Sequence, residues 1–145
     1  IHIARAGRMR ILGIDYGQKR IGLAVSDLLG ITAQWLETLP NRGAKLMIAD
    51  LVKICKDNQV KEIVIGLPVN MNGSHGPKAE EILRLIPVIE KATGIVVKSW
   101  DERLTSRQAD RLMIEQGLSR QRQKLNSDRL AATLILQSYL ESKRK

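Results

Sequence analysis

The sequence predicts an α/β domain: a mixed five-stranded sheet that opens as an antiparallel three-strand meander, continues with parallel strands, and carries helices on both faces. Two observations carry this. Five short runs rich in Ile, Leu and Val are bounded by Gly, Pro or polar turn residues, as strands are. The first three runs are separated only by short turns, whereas the later ones alternate with helix-length stretches. At 145 residues, the chain is long enough for one domain with a real core.

Taken in order, Ile1 to Arg8 reads as a leader, an upstream extension or a remnant, and Met9 as the natural start. The domain is expected over residues 9–142, with 143–145 as a basic tail. Strand one covers Arg10–Asp15 and strand two Arg20–Ser26, folded back across the polar turn Tyr16-Gly17-Gln18. Ile31–Leu39 makes a third strand, ended by Pro40-Asn41. Gly43–Asn58 is helical, with Leu46, Ala49, Val52 and Cys55 as the expected core stripe. Val60–Gly66 is a continuous apolar run, the pattern of a strand buried on both faces.

A polar loop over Leu67–Gly76 leads to Pro77, which suits the first position of a helix running to about Ala92. Pro87 should kink or split that helix, because it removes one backbone bond and crowds the carbonyl of Leu83. Gly94 ends it, and Ile95–Trp100 forms another short buried strand. Thr105 and Gln108 have the spacing of a capping box for a helix to Gln116, with Gly117 as its C-cap. Leu118–Lys124 reads as a basic connector, and the last helix is expected from Ser127 to Glu141.

Composition narrows the function classes. No run approaches the ~18–20 apolar residues of a membrane span, so no membrane association is expected. A single cysteine, Cys55, leaves no internal disulfide, and with only His2 and His75 beside it a Cys/His zinc site is excluded. These features predict a reduced, cytoplasmic protein. The net charge of +9 is unevenly spread: +4 in residues 1–20, zero in 21–97, and +5 in 98–145. A basic field at both chain ends suits a polyanionic partner, namely structured nucleic acid; solvating surface charge is the competing reading.

Within that field stand a few acids. Asp15 ends an apolar strand, where an unpaired carboxylate is costly to bury, so it either caps its turn or points at something positive. Right-handed crossovers bring Asp15, the loop after Gly66 and the pair Asp101-Glu102 to one rim, outside the strand C-termini. On the final helix, Asp128, Ala131, Ala132, Ile135 and Tyr139 share a face by spacing. Asp128 therefore either points inward to the other acids or, with Asn126 as N-cap, is a first-turn acid favoured by the helix dipole. Carboxylates gathered from separate elements suit Mg²⁺ or Mn²⁺, and two such ions can clamp a phosphodiester during in-line displacement.

Four blocks then carry a resemblance. Asp15-x-Gly17 with Lys19-Arg20-Ile-Gly-Leu-Ala, Ile65-Gly-Leu-Pro68-x-Asn-Met-x-Gly-Ser74, Asp101-Glu-Arg-Leu-Thr-Ser106, and Lys124-x-x-x-Asp128-x-x-Ala-Ala132 occur in order over about Met9 to Leu140. As a set they resemble the YqgF/RuvX family, with Ser106 and Ser127 as modest departures. The resemblance implies an RNase H-like fold of the Holliday-junction-resolvase type and a bacterial cytoplasmic nuclease that matures the 5′ end of pre-16S ribosomal RNA. Branched DNA is the alternative substrate, and a non-catalytic RNA-binding module the alternative role. Position by position, it implies Asp15 as the central ligand of two Mg²⁺ or Mn²⁺ ions, Glu102 as the second and Asp128 as the third. Asp101 is the alternative to Glu102; adjacent side chains on an extended segment point oppositely, so Asp101 is expected to hold Arg103 or cap the next helix. Candidate nucleic-acid contacts are Lys19, Arg20, Asn70, Asn72, Ser74, Arg103, Arg120, Arg122 and Lys124. Ser74-His75 lacks the third partner of a nucleophilic triad.

Overall fold

Alternation along the first strand decides which residues lie on either side of the sheet. A computed structural model describes the backbone of residues 9–105 and 120–143 and the side chains of 9–105 and 130–143. The expected leader over 1–8, the capping box with its helix to Gln116 and Gly117, and the last residues of the tail lie outside these described residues. In β1 (Arg10–Tyr16), Leu12, Ile14 and Tyr16 enter one core cluster while Ile11 enters another. β2 (Arg20–Ser26) and β3 (Ala33–Pro40) complete the antiparallel meander. β4 (Val60–Leu67) joins the other edge of β1 in parallel, and β5 (Val96–Asp101) joins β4 in parallel. The resulting order is β3-β2-β1-β4-β5, and its antiparallel meander continued by parallel strands is the mixed sheet that the sequence predicts.

Helices α1 (Ala44–Asp57) and α2 (Pro77–Thr93) cover one face. Leu12, Ile14, Ile21, Leu23, Ile63 and Ile65 there meet Met47, Leu51 and Ile82. The other face belongs to α3 (Arg120–Lys143), whose Ala132, Ile135, Leu136, Tyr139 and Leu140 pack on Ile11, Ala24 and Val64. Two glycines let α3 come close. A Cβ at Gly13 would lie 2.8 Å from Leu136 Cβ and 3.1 Å from the Ala132 carbonyl oxygen, and one at Gly66 would lie 2.6 Å from Ile135 Cδ1. At the far end of the helix, the Tyr139 hydroxyl donates to Glu62 of β4, and Lys143 Nζ pairs with the same carboxylate at 3.0 Å. Burial works against that charge, but Tyr139 and Lys143 hold the Glu62 carboxyl below its usual range.

The structure corrects several boundaries and faces. The buried stripe of α1 is Met47, Leu51, Ile54 and Cys55; of the expected stripe only Cys55 is buried, while Leu46 is 52% and Val52 39% exposed. The contact with the sheet and α2 follows the i, i+4 row rather than the i, i+3 row. Burial pushes the Cys55 thiol up to about 11, so it packs as an inert apolar group. α2 runs through Pro87 as one helix. β5 is an edge strand with only Val97 buried, rather than a buried strand. α3 spans Arg120–Lys143, so Arg120–Lys124 of the expected basic connector are already helical and Asn126 lies inside the helix, not at its N-cap. No Gly or Pro interrupts residues 120–127, and Arg, Gln and Lys are good helix formers. Gly94 caps α2 as expected, at φ 72° with its N–H on the Glu90 carbonyl at 2.8 Å.

The glycine row sets a stability test. Gly13→Val drives a branched side chain into Leu136 and the α3 backbone, and is expected to cost about 2 kcal/mol, the usual scale of core overpacking. Urea unfolding followed by circular dichroism would measure it; an unchanged midpoint would refute the close approach of α3 at this strand.

Candidate active site

The parallel strands β1, β4 and β5 all end at one rim, and that rim is where the acids meet. Asp15 is the penultimate residue of β1, half-buried, opposite Gly22 of β2. Its turn is held from outside: Gly17 N–H donates to the Arg20 carbonyl at 3.0 Å, and Asn41 donates through Nδ2 to the Gly17 carbonyl at 2.8 Å. A Cβ at Gly17 would come within 2.5 Å of the Arg20 oxygen, which is why the turn requires glycine.

Glu102 arrives from β5. Asp101 closes that strand, and Glu102–Leu104 turn into a short 3₁₀ segment. The Glu102 side chain lies over Gly66: its Cγ and Oε1 are each 3.1 Å from where a Cβ at Gly66 would stand. There it is hydrogen-bonded with Asp15. Burial, then the Asp15 charge, pushes the Glu102 carboxyl up to about 7, with Lys78 pulling against the rise. A like charge this close disfavours the ionised form of Glu102 and adds to the effect of burial.

Asp101 has the opposite fate. Its Oδ1 accepts from the Arg103 backbone N–H at 2.9 Å, capping the 3₁₀ turn, and its carboxylate takes Arg103 Nε at 3.0–3.1 Å and Nη2 at 2.7 Å. The Arg103 guanidinium holds the Asp101 carboxyl below the usual range. Neighbours in sequence thus present one acid to Asp15 and one to an arginine.

The loop after β4 is a small hairpin. Val69 bridges His75, Asn70 N–H donates to the Ser74 carbonyl at 2.9 Å, and Gly73 N–H donates to the Asn70 carbonyl at 2.8 Å. Gly73 sits at φ 87°, the left-handed residue that a three-residue hairpin loop needs. Asn70 Nδ2 donates to Ser74 Oγ at 3.0 Å, and Asn72 Oδ1 accepts from Ser74 N–H at 3.0 Å and from its hydroxyl at 2.6 Å. Arg103 Nη1 reaches back to the carbonyls of Asn70 at 3.3 Å and Met71 at 3.5 Å.

Comparison with known proteins gives this rim a lineage. The family model of RuvX, described as Holliday junction resolvase, matches residues 9–142. The chain belongs to the RuvX family. A relative from Clostridioides difficile (strain 630) is 48% identical over 134 residues, covering 92% of this chain and 95% of its own. One from Syntrophomonas wolfei is 47% identical over 133 residues, covering 92% and 94%. Both carry the provisional name of pre-16S rRNA nuclease. Among solved structures, Thermus thermophilus RuvC aligns with a TM-score of 0.56 at 16% identity over 94% of this chain and 96% of its own. The RuvC complex with a Holliday junction substrate gives 0.54 at 19% over 92% and 96%. At these identities the likeness speaks for the fold, which is RNase H-like.

In this RuvX-family chain, the structure brings Asp15 and Glu102 together and turns Asp101 away. Asp128 lies on α3 one turn before Ala132, with its side chain outside the described residues, as are those of Arg120, Arg122 and Lys124. Among the described side chains no cluster of three metal-ligating groups occurs. Asn70, Asn72, Ser74 and Arg103 act within the hairpin, and exposed Lys19 and Arg20 stand at the β1–β2 turn on the same rim. Lys78, in the first turn of α2, was not among the expected site residues, although it acts electrostatically on Glu102. The sequence places it directly after Gly76-Pro77, at a helix start, but only the aim of α2 at the rim gives it this role.

The acid pair predicts a pH dependence of opposite sign to that of an ion-paired carboxylate. Between the ordinary 4.5 and the folded value of about 7, the folded chain keeps a Glu102 proton that the unfolded chain has lost. This contribution is therefore full below about pH 4 and is lost as pH rises through about 7. Asp101, held low by Arg103, acts the other way and only in the acid range. Thermal unfolding in EDTA should show the melting temperature falling from about pH 5 to about pH 8, with Glu102→Gln flattening the slope. An equal slope in both proteins would refute the assignment.

Proposed function

We propose that this chain is a divalent-metal-dependent phosphodiester hydrolase of the cytoplasm, acting on structured nucleic acid, with the 5′ end of pre-16S ribosomal RNA as its substrate in ribosome biogenesis. The observation that carries the reading is the Asp15–Glu102 pair at the C-terminal rim of the central parallel strands. Membership of the RuvX family and the names of its relatives support the substrate. No helix among the described residues is long and apolar enough to cross a membrane.

The donor set suits a hard cation. Both groups are carboxylates, they lie side by side, and burial together with the Asp15 charge lets Glu102 keep a proton near neutrality. In this reading Asp15 and Glu102 hold Mg²⁺ or Mn²⁺, with Asp128 as the third ligand supplied by α3. Bound there, one or two such ions would polarise the phosphate and lower the pKa of an attacking water. The chain's own residues do the rest. Gly66 leaves the room in which Glu102 lies flat against the strand end. Asp101 takes up Arg103 in a 2.7 Å ion pair. Lys19, Arg20, Lys78, Arg120, Arg122 and Lys124 supply positive charge for the phosphate backbone, and Asn70, Asn72, Ser74 and Arg103 shape the hairpin beside it.

The test is cleavage, in Mg²⁺ or Mn²⁺, of an RNA spanning the 5′ end of 16S rRNA, with a four-way DNA junction in parallel. Wild type should cut the RNA only with metal, and Asp15→Asn should lose roughly a hundredfold or more, beyond the cost usual for residues that merely support a ligand. Cleavage that survives EDTA or Asp15→Asn would overturn the reading. Cutting of the junction alone would move the substrate to branched DNA.

A further inference from the structure

We propose that Met71 is a wedge: the tip of the Val69–His75 hairpin inserts its side chain into the base stack of structured RNA, beside the phosphate held at the acid pair. The inference rests on the nucleic-acid reading above and adds to it the kind of RNA that is recognised, one with an unpaired nucleotide or a helix end next to the scissile phosphate.

Met71 is 93% exposed, more than any other large hydrophobic residue among those described. An isolated apolar side chain on a surface needs no explanation, so exposure alone decides nothing. Met71 is set apart by its mounting. The polar side chains of the hairpin tip bond to one another: Asn70 and Asn72 both bond to Ser74, and Gly73 supplies the left-handed turn. The Met71 side chain stands in solvent beside this polar frame. The frame is tied down as well, because Arg103 donates to the carbonyls of Asn70 and of Met71 itself while Asp101 holds the other side of the guanidinium.

That tether has a geometric consequence. Three consecutive residues, Asp101, Glu102 and Arg103, anchor the hairpin and supply the second acid of the pair. The hairpin that carries the wedge and the second acid are thus tied to the same short segment. A side chain that parts two bases must be apolar, slender and rigidly backed, and methionine is among the residues used for this. Its unbranched, polarisable thioether adapts to the faces of different bases without hydrogen-bond readout. Entry is easiest where stacking is already broken, at bulges, loops and helix ends, which is also where proteins read RNA. Lys19, Arg20 and Lys78 on the same rim would draw the backbone down around the tip.

The test uses the full chain in EDTA, so that bound RNA stays intact. The probe is a short RNA hairpin with a single-nucleotide bulge and 2-aminopurine beside it, matched to a fully paired duplex. Binding by wild type should raise the 2-aminopurine fluorescence of the bulged RNA. Met71→Ala should abolish the rise and weaken binding about five- to tenfold, while Met71→Leu keeps most of both. On the paired duplex, Met71→Ala and wild type should bind alike. Because the side chain touches solvent, the melting temperature of Met71→Ala should match wild type. An equal fluorescence rise and affinity for Met71→Ala, or no rise with wild type, would overturn the wedge. Repeating the measurement with Mg²⁺ separates the two readings: a Met71-dependent rise without cleavage keeps the wedge and removes the nuclease. Cleavage with no Met71-dependent rise does the reverse.

Discussion

The absence of side chains at Gly13 and Gly66 is the constraint on which the rest of the molecule hangs. A helix on a sheet normally stands off by the thickness of two layers of side chains, but here Leu136 and Ile135 press onto bare strand backbone. Gly66 serves twice, because the space above it is divided between Ile135 and the Glu102 carboxylate. Any larger residue would displace either the helix or the acid. The aliphatic core on the opposite face, built without a single phenylalanine, is conventional by comparison and holds the strands in register.

Segment 101–103 shows how backbone direction can deliver adjacent residues to opposite electrostatic surroundings. Asp101 faces a guanidinium and is held ionised, whereas Glu102 turns over Gly66 toward Asp15 and retains its proton far more readily. A chemical difference between two carboxylates follows from one turn of 3₁₀ helix.

Most of this architecture was legible in the sequence. Strand runs, their order, the capping glycine at Gly94 and the approach of Asp15 to the 101–102 pair all follow from periodicity and from the handedness of crossovers. The pairing of Asp101 with Arg103 was legible too, since an arginine two residues on gives the aspartate a local partner. Among the features that were not, three are instructive. Helix α1 is apolar along two neighbouring rows, Leu46-Ala49-Val52 and Met47-Leu51-Ile54, and only its contact with α2 and the sheet selects the second. The polar composition of Arg120–Lys124 suggested a connector, yet it contains nothing that stops a helix. The role of Lys78 depends on how α2 is aimed at the rim, which no local pattern encodes.

The parallel pairing of β1 with β4 and of β4 with β5 has an implication for how the protein comes into being. Asp15 belongs to the first strand and Glu102 to the end of the fifth, so the two acids meet only after both long-range pairings have formed. Such contacts close late, because the chain loop between them must be ordered first. A nascent or half-folded chain therefore carries the separate acids but not the pair, and the site arises in one step with the native sheet.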